Sequence, residues 1–284
     1  MTTLPGDELL TAGPVAAWLT DMDGVLVHEE DALPGAADFV EALKKHDVPF
    51  GVLTNNSTYT PRDLRARLLA SGIDVPEAAI WTSAQATAKF IADQMPGASC
   101  FAIGEAGLTT ALHEAGLTLV ERNPDYVVLG ETRTYSFEVI TRGIRLIEAG
   151  ARFIATNPDP SGPSAWGTLP ATGAVAALIR SVTNRVPYYI GKPNPFMMRS
   201  ALRRIGGHSE SAVMVGDRMD TDVVSGLEAG MRTVLVLTGS TRRDRVEAFP
   251  YRPTVILDSI ADAVPLVEAG LARDDEQGEP PRTA

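Results

Sequence analysis

The sequence predicts an α/β fold with a mostly parallel sheet and an inserted α/β domain. Three observations lead to this prediction. Short apolar runs alternate with helical patterns from Val15 onward, as in successive βαβ units. The pattern changes near Pro96 and returns after about Arg185. At 284 residues the chain is also about twice the length of a typical domain, so we expect two units.

In the first region, buried strands and helices follow one another in order. A strand "VAAWLT" leads to Asp21, and the helix "PGAADFVEALKKHD" has proline near its start and an apolar face. A second strand, "VPFGVL", leads to Thr54 and is followed by the helix "PRDLRARLLASG", which glycine ends. The strand "AIWTS" and the helix "AQATAKFIADQM" complete this region.

The middle region has strands and helices of its own, which predict an inserted domain. They are "CFAIG", "AGLTTALHEAG", "DYVVLG", "FEVITRGIRLIEAG", "RFIAT" and "GAVAALIRSV". The first pattern resumes with "PYYI", "PFMMRSALRRIG", "AVMVG", "DVVSGLEAG" and "TVLVL", and the polar tail "RDDEQGEPPRTA" has no periodicity. We therefore assign 1–96 and 187–284 to the core and 97–186 to the inserted domain. A single continuous sheet is the alternative.

Composition narrows the classes of partner. The formal net charge of −11 repels polyanions, which argues against a nucleic acid polymer and against an anionic membrane surface. No apolar stretch is long enough to span a membrane and no signal peptide pattern is present, so we expect a cytoplasmic protein. The single cysteine, Cys100, stands among apolar residues and is interpreted as a buried structural thiol.

The first of four motifs at predicted strand ends is "LTDMDGVLV", which contains Asp21 and Asp23. Ligands bind at this edge of open parallel sheets. Two carboxylates two residues apart repel each other unless a cation lies between them, which implies a hard metal such as Mg²⁺. An ordinary turn rich in Asp and Gly explains this motif equally well.

The second motif, "VLTNNST", places Thr54, Asn55 and Asn56 after the next strand. A hydroxyl group and exposed backbone N–H groups at this position can bind phosphate oxygens without carrying charge. Taken alone, the motif is better explained as a loop of ordinary turn residues.

The third and fourth motifs supply a cation and more acids. In "YYIGKPNP", Lys192 stands between glycine and proline on a stiff loop, where its ammonium can offset the charge of a phosphorylated carboxylate. In "MVGDRMDTD", Asp217 follows an apolar strand, with Asp220 and Asp222 after it. Acids at a helix N-terminus are the simpler explanation for the last two but not for Asp217.

Taken in order, these motifs resemble the haloacid dehalogenase (HAD) superfamily. The strings "DMDGVL", "LTNNS", "FIATNPD", "GKPNP" and "GDRMDTD" are similar to those of its class IIA, the NagD and 4-nitrophenylphosphatase branch. The resemblance covers roughly Val15 to Val267. It implies a Rossmann-like, HAD-type core, an inserted α/β cap, and a phosphatase that hydrolyses small phosphomonoesters such as nucleoside monophosphates or sugar phosphates.

The resemblance also implies roles for individual residues. Asp21 would be the nucleophile that becomes a phosphoaspartate, and Asp23 the general acid and base. Thr54 and Lys192 would bind the phosphoryl oxygens, together with the loop of Asn55 and Asn56. Mg²⁺ would be held by Asp21, the backbone carbonyl of Asp23, and Asp217, with Asp222 supporting them from behind.

Specificity would reside in cap loops, with the segment from Asn157 to Trp166 reaching the active site. The resemblance leaves the oligomeric state open and allows a homodimer formed through the cap. Two other classes of function remain as alternatives: a receiver-like signalling module that accepts phosphate on aspartate, and a phosphate- or nucleotide-binding protein without turnover. Neither alternative explains why an acidic residue stands at Asp23.

Overall fold

The computed structural model describes residues 6–11, 13–162 and 167–277, and the chain divides into two compact units. The first unit comprises Met1–Leu53, Arg65–Ala79 and Met198–Ala284, and the second comprises Thr54–Leu64 and Ile80–Met197. Each unit is built around parallel strands, so the α/β class predicted from the sequence is confirmed. The exact limits of core and cap, 1–96, 97–186 and 187–284, stay a prediction.

The strands, in chain order, are β1 Ala17–Asp21, β2 Val27–His28, β3 Asp31–Ala32, β4 Phe50–Thr54, β5 Ile80–Thr82, β6 Ser99–Ile103, β7 Thr118–Leu119, β8 Tyr126–Leu129, β9 Arg152–Ala155, β10 Ser161–Gly162, β11 Leu169–Pro170, β12 Tyr188–Tyr189, β13 Ala212–Gly216, β14 Arg232–Val236 and β15 Val255–Leu257. The α-helices are α1 Glu8–Thr11, α2 Ala36–Lys45, α3 Pro61–Ala70, α4 Ser83–Gln94, α5 Ala106–Glu114, α6 Phe137–Glu148, α7 Thr172–Thr183, α8 Pro195–Ile205, α9 Val224–Glu228 and α10 Val264–Gln277.

The first unit contains five parallel strands in the order β15-β14-β13-β1-β4. Every residue of β1 and β13 is buried, as expected for central strands covered on both faces. Thr20 of β1 is paired with Val215 of β13. The two strands therefore end side by side, and the residues that follow them emerge at the same edge of the sheet.

The second unit has its own parallel sheet, in the order β12-β9-β8-β6-β7. Helices α6 and α7 pack on it through a cluster that includes Ile103, Val127, Phe153 and Ile179. Helix α6 is preceded by Ser136, whose hydroxyl accepts a hydrogen bond from the backbone N–H of Val139 and so caps the helix.

Two local features differ from the sequence interpretation. The "PYYI" strand was assigned to the resumed core pattern, but β12 pairs with β9 in the sheet of the second unit. A two-residue strand has no periodicity that would indicate its partner. The polar tail, in which the sequence shows no periodicity, begins inside α10, which continues to Gln277.

Among the described residues, no helix combines the length and apolar character needed to cross a bilayer. Cys100 is fully buried in β6, and this burial raises the pKa of its thiol to about 12. The prediction of a buried structural thiol is confirmed.

Candidate active site

Three carboxylates meet at the edge of the first unit where β1 and β13 end. Oxygen atoms of Asp21, Asp217 and Asp222 all lie within 4.8 Å of one another. The three residues are only 7%, 3% and 0% exposed. Asp21 is the last residue of β1 and Asp217 directly follows β13, so the parallel pairing of these strands brings the two acids together.

The Asp217 carboxylate is held by the loop that follows β14. Its Oδ2 accepts a hydrogen bond of 2.6 Å from the backbone N–H of Ser240, and its carbonyl accepts one of 3.1 Å from Thr241 N–H. A Cβ atom at Gly239 would lie 2.1 Å from Oδ2, so only glycine lets the loop approach this closely. Backbone groups therefore fix the orientation of Asp217.

The same loop holds the turn that contains Asp23. The hydroxyl of Thr238 donates a 2.7 Å hydrogen bond to the carbonyl of Gly24. Gly24 has a φ of 79°, and a Cβ atom there would lie 2.7 Å from Asp217 Cγ. Glycine is thus required both by the left-handed backbone and by the carboxylate beside it. Asp23 itself is half-buried.

Asp222 lies in a single π-helical turn, Met219–Val223, that precedes α9. Such turns are frequent at functional sites. Asp222 Oδ2 accepts a 3.1 Å hydrogen bond from the backbone N–H of Arg218, and a Cβ atom at Gly216 would lie 2.1 Å from Asp222 Cβ. Asp222 therefore packs directly against the end of β13 and joins the cluster with Asp21 and Asp217.

The cluster fits a hard divalent cation. Three buried carboxylates this close together repel one another strongly when ionised, and a cation between them removes that cost. All three supply oxygen, the ligand type that Mg²⁺ prefers. The Asp21 carboxylate is oriented by a 2.8 Å hydrogen bond from the backbone N–H of Met22 to its Oδ1, as is usual for metal-binding acids.

In the second unit, Lys192 is held through its backbone by the side chain of Asn55. Asn55 Oδ1 accepts a 2.8 Å hydrogen bond from Lys192 N–H, and Asn55 Nδ2 donates a 3.0 Å hydrogen bond to Lys192 O. Lys192 is only 2% exposed. A buried lysine on a backbone fixed at both of its polar groups has a well-defined direction, unlike a surface lysine.

The rest of the "TNN" loop is also fixed by local hydrogen bonds. The hydroxyl of Thr54, which is buried, accepts from Asn56 N–H at 3.1 Å. Asn56 Oδ1 accepts from the N–H groups of Thr58 and Tyr59, at 2.9 and 3.0 Å. Ser83 Oγ donates to the carbonyl of Asn55 at 2.7 Å. The two asparagine side chains thus stabilise the loop, and the part of Asn55 and Asn56 in phosphate binding stays a prediction.

The sequence motifs identified most of these residues but not the groups that hold them in place. Asp21 and Asp217, expected as metal ligands, lie together, and Asp222, expected behind them, lies among them. The loop Thr238–Thr241 was not identified, although its "TGST" sequence follows an apolar strand. Asp159 lies in "FIATNPD" and in the segment expected to reach the active site, but no individual role was predicted for it, and Trp166 lies outside the described residues.

Comparison with known proteins agrees with this geometry. Residues 18–118 match the family model described as haloacid dehalogenase-like hydrolase, and residues 189–263 match one described as HAD-hydrolase-like. The chain is 60% identical over 246 residues to the dihydroxyacetone phosphatase of Corynebacterium glutamicum, covering 87% of this chain and 90% of that relative. The chain belongs to the haloacid dehalogenase-like hydrolases.

Within the HAD hydrolases, its relatives are NagD-like phosphatases. It is 41% identical to the ribonucleotide monophosphatase NagD of Escherichia coli K12, over 86% of this chain and 96% of NagD. The structure of that NagD superposes with a TM-score of 0.84 over 88% of this chain and 98% of that chain, at 40% identity. A 4-nitrophenylphosphatase from Thermotoga maritima gives 0.85 over 89% and 97%, at 33% identity. The class IIA resemblance seen in the motifs is confirmed.

Proposed function

We propose that this HAD-type phosphatase hydrolyses small phosphomonoesters with Mg²⁺, through a phosphoaspartate on Asp21. The cluster of Asp21, Asp217 and Asp222 is the observation that carries the proposal. It combines a nucleophile at a strand end with the oxygen ligands of a hard cation, in a chain whose net charge would otherwise repel an anionic substrate.

Two aspartates carry out the covalent steps. The Asp21 carboxylate attacks phosphorus and forms an acyl phosphate while the bond from phosphorus to the leaving oxygen breaks. Asp23 protonates that oxygen, so the alcohol departs as a neutral molecule. Asp23 then accepts a proton from the water that attacks phosphorus, which releases inorganic phosphate and restores the Asp21 carboxylate.

The remaining residues bind and orient the phosphoryl group. Thr54 and Lys192 bind its oxygens, and Asn55 and Asn56 maintain the loop from which Thr54 acts. Asp21 and Asp217 would hold Mg²⁺ with the backbone carbonyl of Asp23, and the position of Asp222 supports a part in this site as well. When bound, the cation offsets the negative charge of the phosphoryl group and of the acids.

For the substrate, the 60% identical relative points to a three-carbon phosphoester. That relative is a dihydroxyacetone phosphatase, whereas relatives near 40% identity are named ribonucleotide monophosphatase or acid sugar phosphatase. We therefore propose dihydroxyacetone phosphate as the preferred substrate, with nucleotides and sugar phosphates turned over less efficiently. A cytoplasmic location and a homodimer formed through the cap stay predictions.

Two other classes of function are less well supported. A receiver-like module would retain its phosphoryl group. The named relatives, however, are phosphatases, and this chain aligns with nearly the whole length of each. A phosphate-binding protein without turnover would need no nucleophile beside a cation site. The receiver-like module would show stoichiometric phosphorylation, and the binding protein would show binding without any covalent step. Neither would release phosphate continuously.

The test is phosphate release from dihydroxyacetone phosphate and from 4-nitrophenyl phosphate, with and without Mg²⁺. Asp21→Asn removes the nucleophile and is expected to lower kcat by about 10⁴-fold or more. Asp23→Asn removes the acid and is expected to lower kcat by about 10² to 10³-fold.

The matched control is Asp220→Asn. Asp220 belongs to the same acidic motif as Asp217, but it is exposed and pairs with Arg218, so its removal is expected to leave kcat within about twofold of the wild-type value. Full activity of Asp21→Asn would contradict the proposed mechanism, and full activity in chelator would contradict the metal requirement.

A further inference from the structure

We propose that Asp159 is a positioning residue that sets the orientation of Lys192 through the side chain of Asn55. The inference rests on the proposed function of Lys192 as a phosphate-binding group, and it adds a residue that the motifs did not assign. All three residues belong to the second unit.

The contacts form a short chain. Asn55 Nδ2 donates to Asp159 Oδ2 at 2.8 Å and to the Lys192 carbonyl at 3.0 Å. Asn55 Oδ1 accepts from Lys192 N–H at 2.8 Å. One amide group therefore contacts both polar backbone groups of Lys192, and it also donates to a carboxylate.

The carboxylate favours one orientation of the amide, the same one that the two backbone groups of Lys192 favour. A side-chain amide can rotate by half a turn and exchange its oxygen and nitrogen ends, which differ as acceptor and donor. An ionised carboxylate only accepts, so Asp159 favours the orientation in which the nitrogen of Asn55 faces it. In that orientation Asn55 Oδ1 faces Lys192 N–H, whereas the opposite orientation would place two donors against each other.

Asp159 is itself held firmly. Its backbone N–H donates to Asn157 Oδ1 at 3.1 Å, and its carbonyl accepts from Gly173 N–H at the start of α7 at 2.8 Å. A Cβ atom at Gly173 would lie 2.7 Å from the Asp159 carbonyl oxygen, so helix and loop are in close contact. Asn157 Nδ2 also donates to the carbonyl of Asn55 at 2.9 Å. The backbone that carries the Asp159 carboxylate is thus fixed by hydrogen bonds.

Loss of the contact between Asp159 and Asn55 should weaken phosphate binding more than it slows the chemical step. The Lys192 side chain is buried, so its direction follows from its backbone. If the Asn55 amide turns, the Lys192 backbone loses two hydrogen bonds and the ammonium group loses its fixed position. We expect weaker binding of the phosphoryl group, seen as a higher KM and a higher inhibition constant for inorganic phosphate, with a smaller change in kcat.

The experiment measures KM, kcat and the inhibition constant of inorganic phosphate in variants of the full chain. Asp159→Ala is expected to raise the inhibition constant about tenfold, the effect of losing about one partly buried hydrogen bond to a charged group. Asp159→Asn keeps an acceptor oxygen and is expected to recover most of this loss. If Asp159→Ala is too unstable to assay, Asp159→Ser, whose side chain is too short to reach Asn55, replaces it with the same expected result.

A double-mutant cycle separates positioning from a general structural role. In a Lys192→Met background, Asp159→Ala is expected to change the inhibition constant by less than about twofold, because its effect passes through Lys192. The control is Asp125→Ala, which removes another carboxylate clamp of the same unit, to Ser99 N–H and Oγ, and is expected to leave the inhibition constant unchanged.

Three outcomes would overturn the inference: an unchanged inhibition constant in Asp159→Ala, the same increase in Asp125→Ala, or full additivity with Lys192→Met. The last would mean that Asp159 acts directly on the substrate or on stability. A wild-type protein that releases no phosphate from any phosphoester would contradict the proposed function instead, so the two failures are distinguishable.

Discussion

The acidic cluster of the first unit and the lysine loop of the second unit are held in place by different means. Asp217 is oriented by the backbone N–H of Ser240 and by the close approach of Gly239. Lys192 is oriented by the side-chain amide of Asn55, which Asp159 orients in turn. The acids are therefore fixed mainly by main-chain geometry and the lysine by side-chain chemistry.

This difference follows from what each group needs. Clustered anions gain from N–H donors and a nearby cation, and main-chain N–H groups supply such donors without a rotatable side chain. A lysine has a long flexible side chain, so fixing it begins with its own backbone. Substitutions in the two regions should consequently fail in different ways: one in the response to Mg²⁺ and the other in affinity for phosphate.

The largest effect is expected from Gly239→Ala. The new Cβ atom would lie 2.1 Å from Asp217 Oδ2, so the carboxylate or the loop must move. We expect kcat/KM to fall about hundredfold and the Mg²⁺ concentration for half-maximal activity to rise, as when a group supporting a metal ligand is lost. The increase in melting temperature on adding MgCl₂ should shrink as well, which gives a measurement independent of turnover.

The control for this variant is Gly270→Ala in α10. Its Cβ atom would meet only Leu10 Cδ2 at 3.7 Å and Val15 Cβ at 4.0 Å, which are ordinary contacts. Gly270→Ala should respond to Mg²⁺ as the wild type does. An unchanged Mg²⁺ response in Gly239→Ala would show that the loop after β14 does not orient Asp217.

A smaller effect is expected from Gly191→Ala beside the lysine. Its Cβ atom would lie 2.5 Å from Asn55 Oδ1 and from the carbonyl oxygen of Thr156. Displacing the Asn55 amide should raise the inhibition constant of phosphate about tenfold while the Mg²⁺ response stays normal. Gly270→Ala, which adds only ordinary contacts far along the chain from Lys192, serves as the control here too, and both quantities should be unchanged. A weakened Mg²⁺ response in Gly191→Ala would contradict the contrast between the two regions.

The smallest effect is expected from Thr238→Val, which keeps the shape of the side chain and removes its hydroxyl. The hydrogen bond to the Gly24 carbonyl contributes about 1 kcal/mol, so kcat should fall about fivefold. Thr238→Ser keeps the hydroxyl and should restore activity. Equal losses in both variants would mean that packing of the methyl group, not the hydrogen bond, fixes the turn at Asp23.

The sequence by itself determined the α/β class and predicted which residues form the candidate site. Alternating strands and helices predict a parallel sheet, and acids that directly follow buried strands, such as Asp21 and Asp217, must emerge at its carboxyl edge. Those properties are local: they depend on which residues occupy neighbouring positions of the chain. Lys192, on its loop between glycine and proline, was predicted as a site residue for the same reason.

Only the tertiary structure decided which residues support them. Ser240 donates to Asp217 from 23 positions along the chain, and Asp159 contacts Asn55 from 104 positions away. Asp222 was expected behind the metal ligands but lies beside Asp21 and Asp217, because it belongs to a π-helical turn. The sequence has no periodicity that would predict this turn. Hydrogen bonds between distant segments depend on how strands and loops are packed together, and the local pattern of residues does not contain that information.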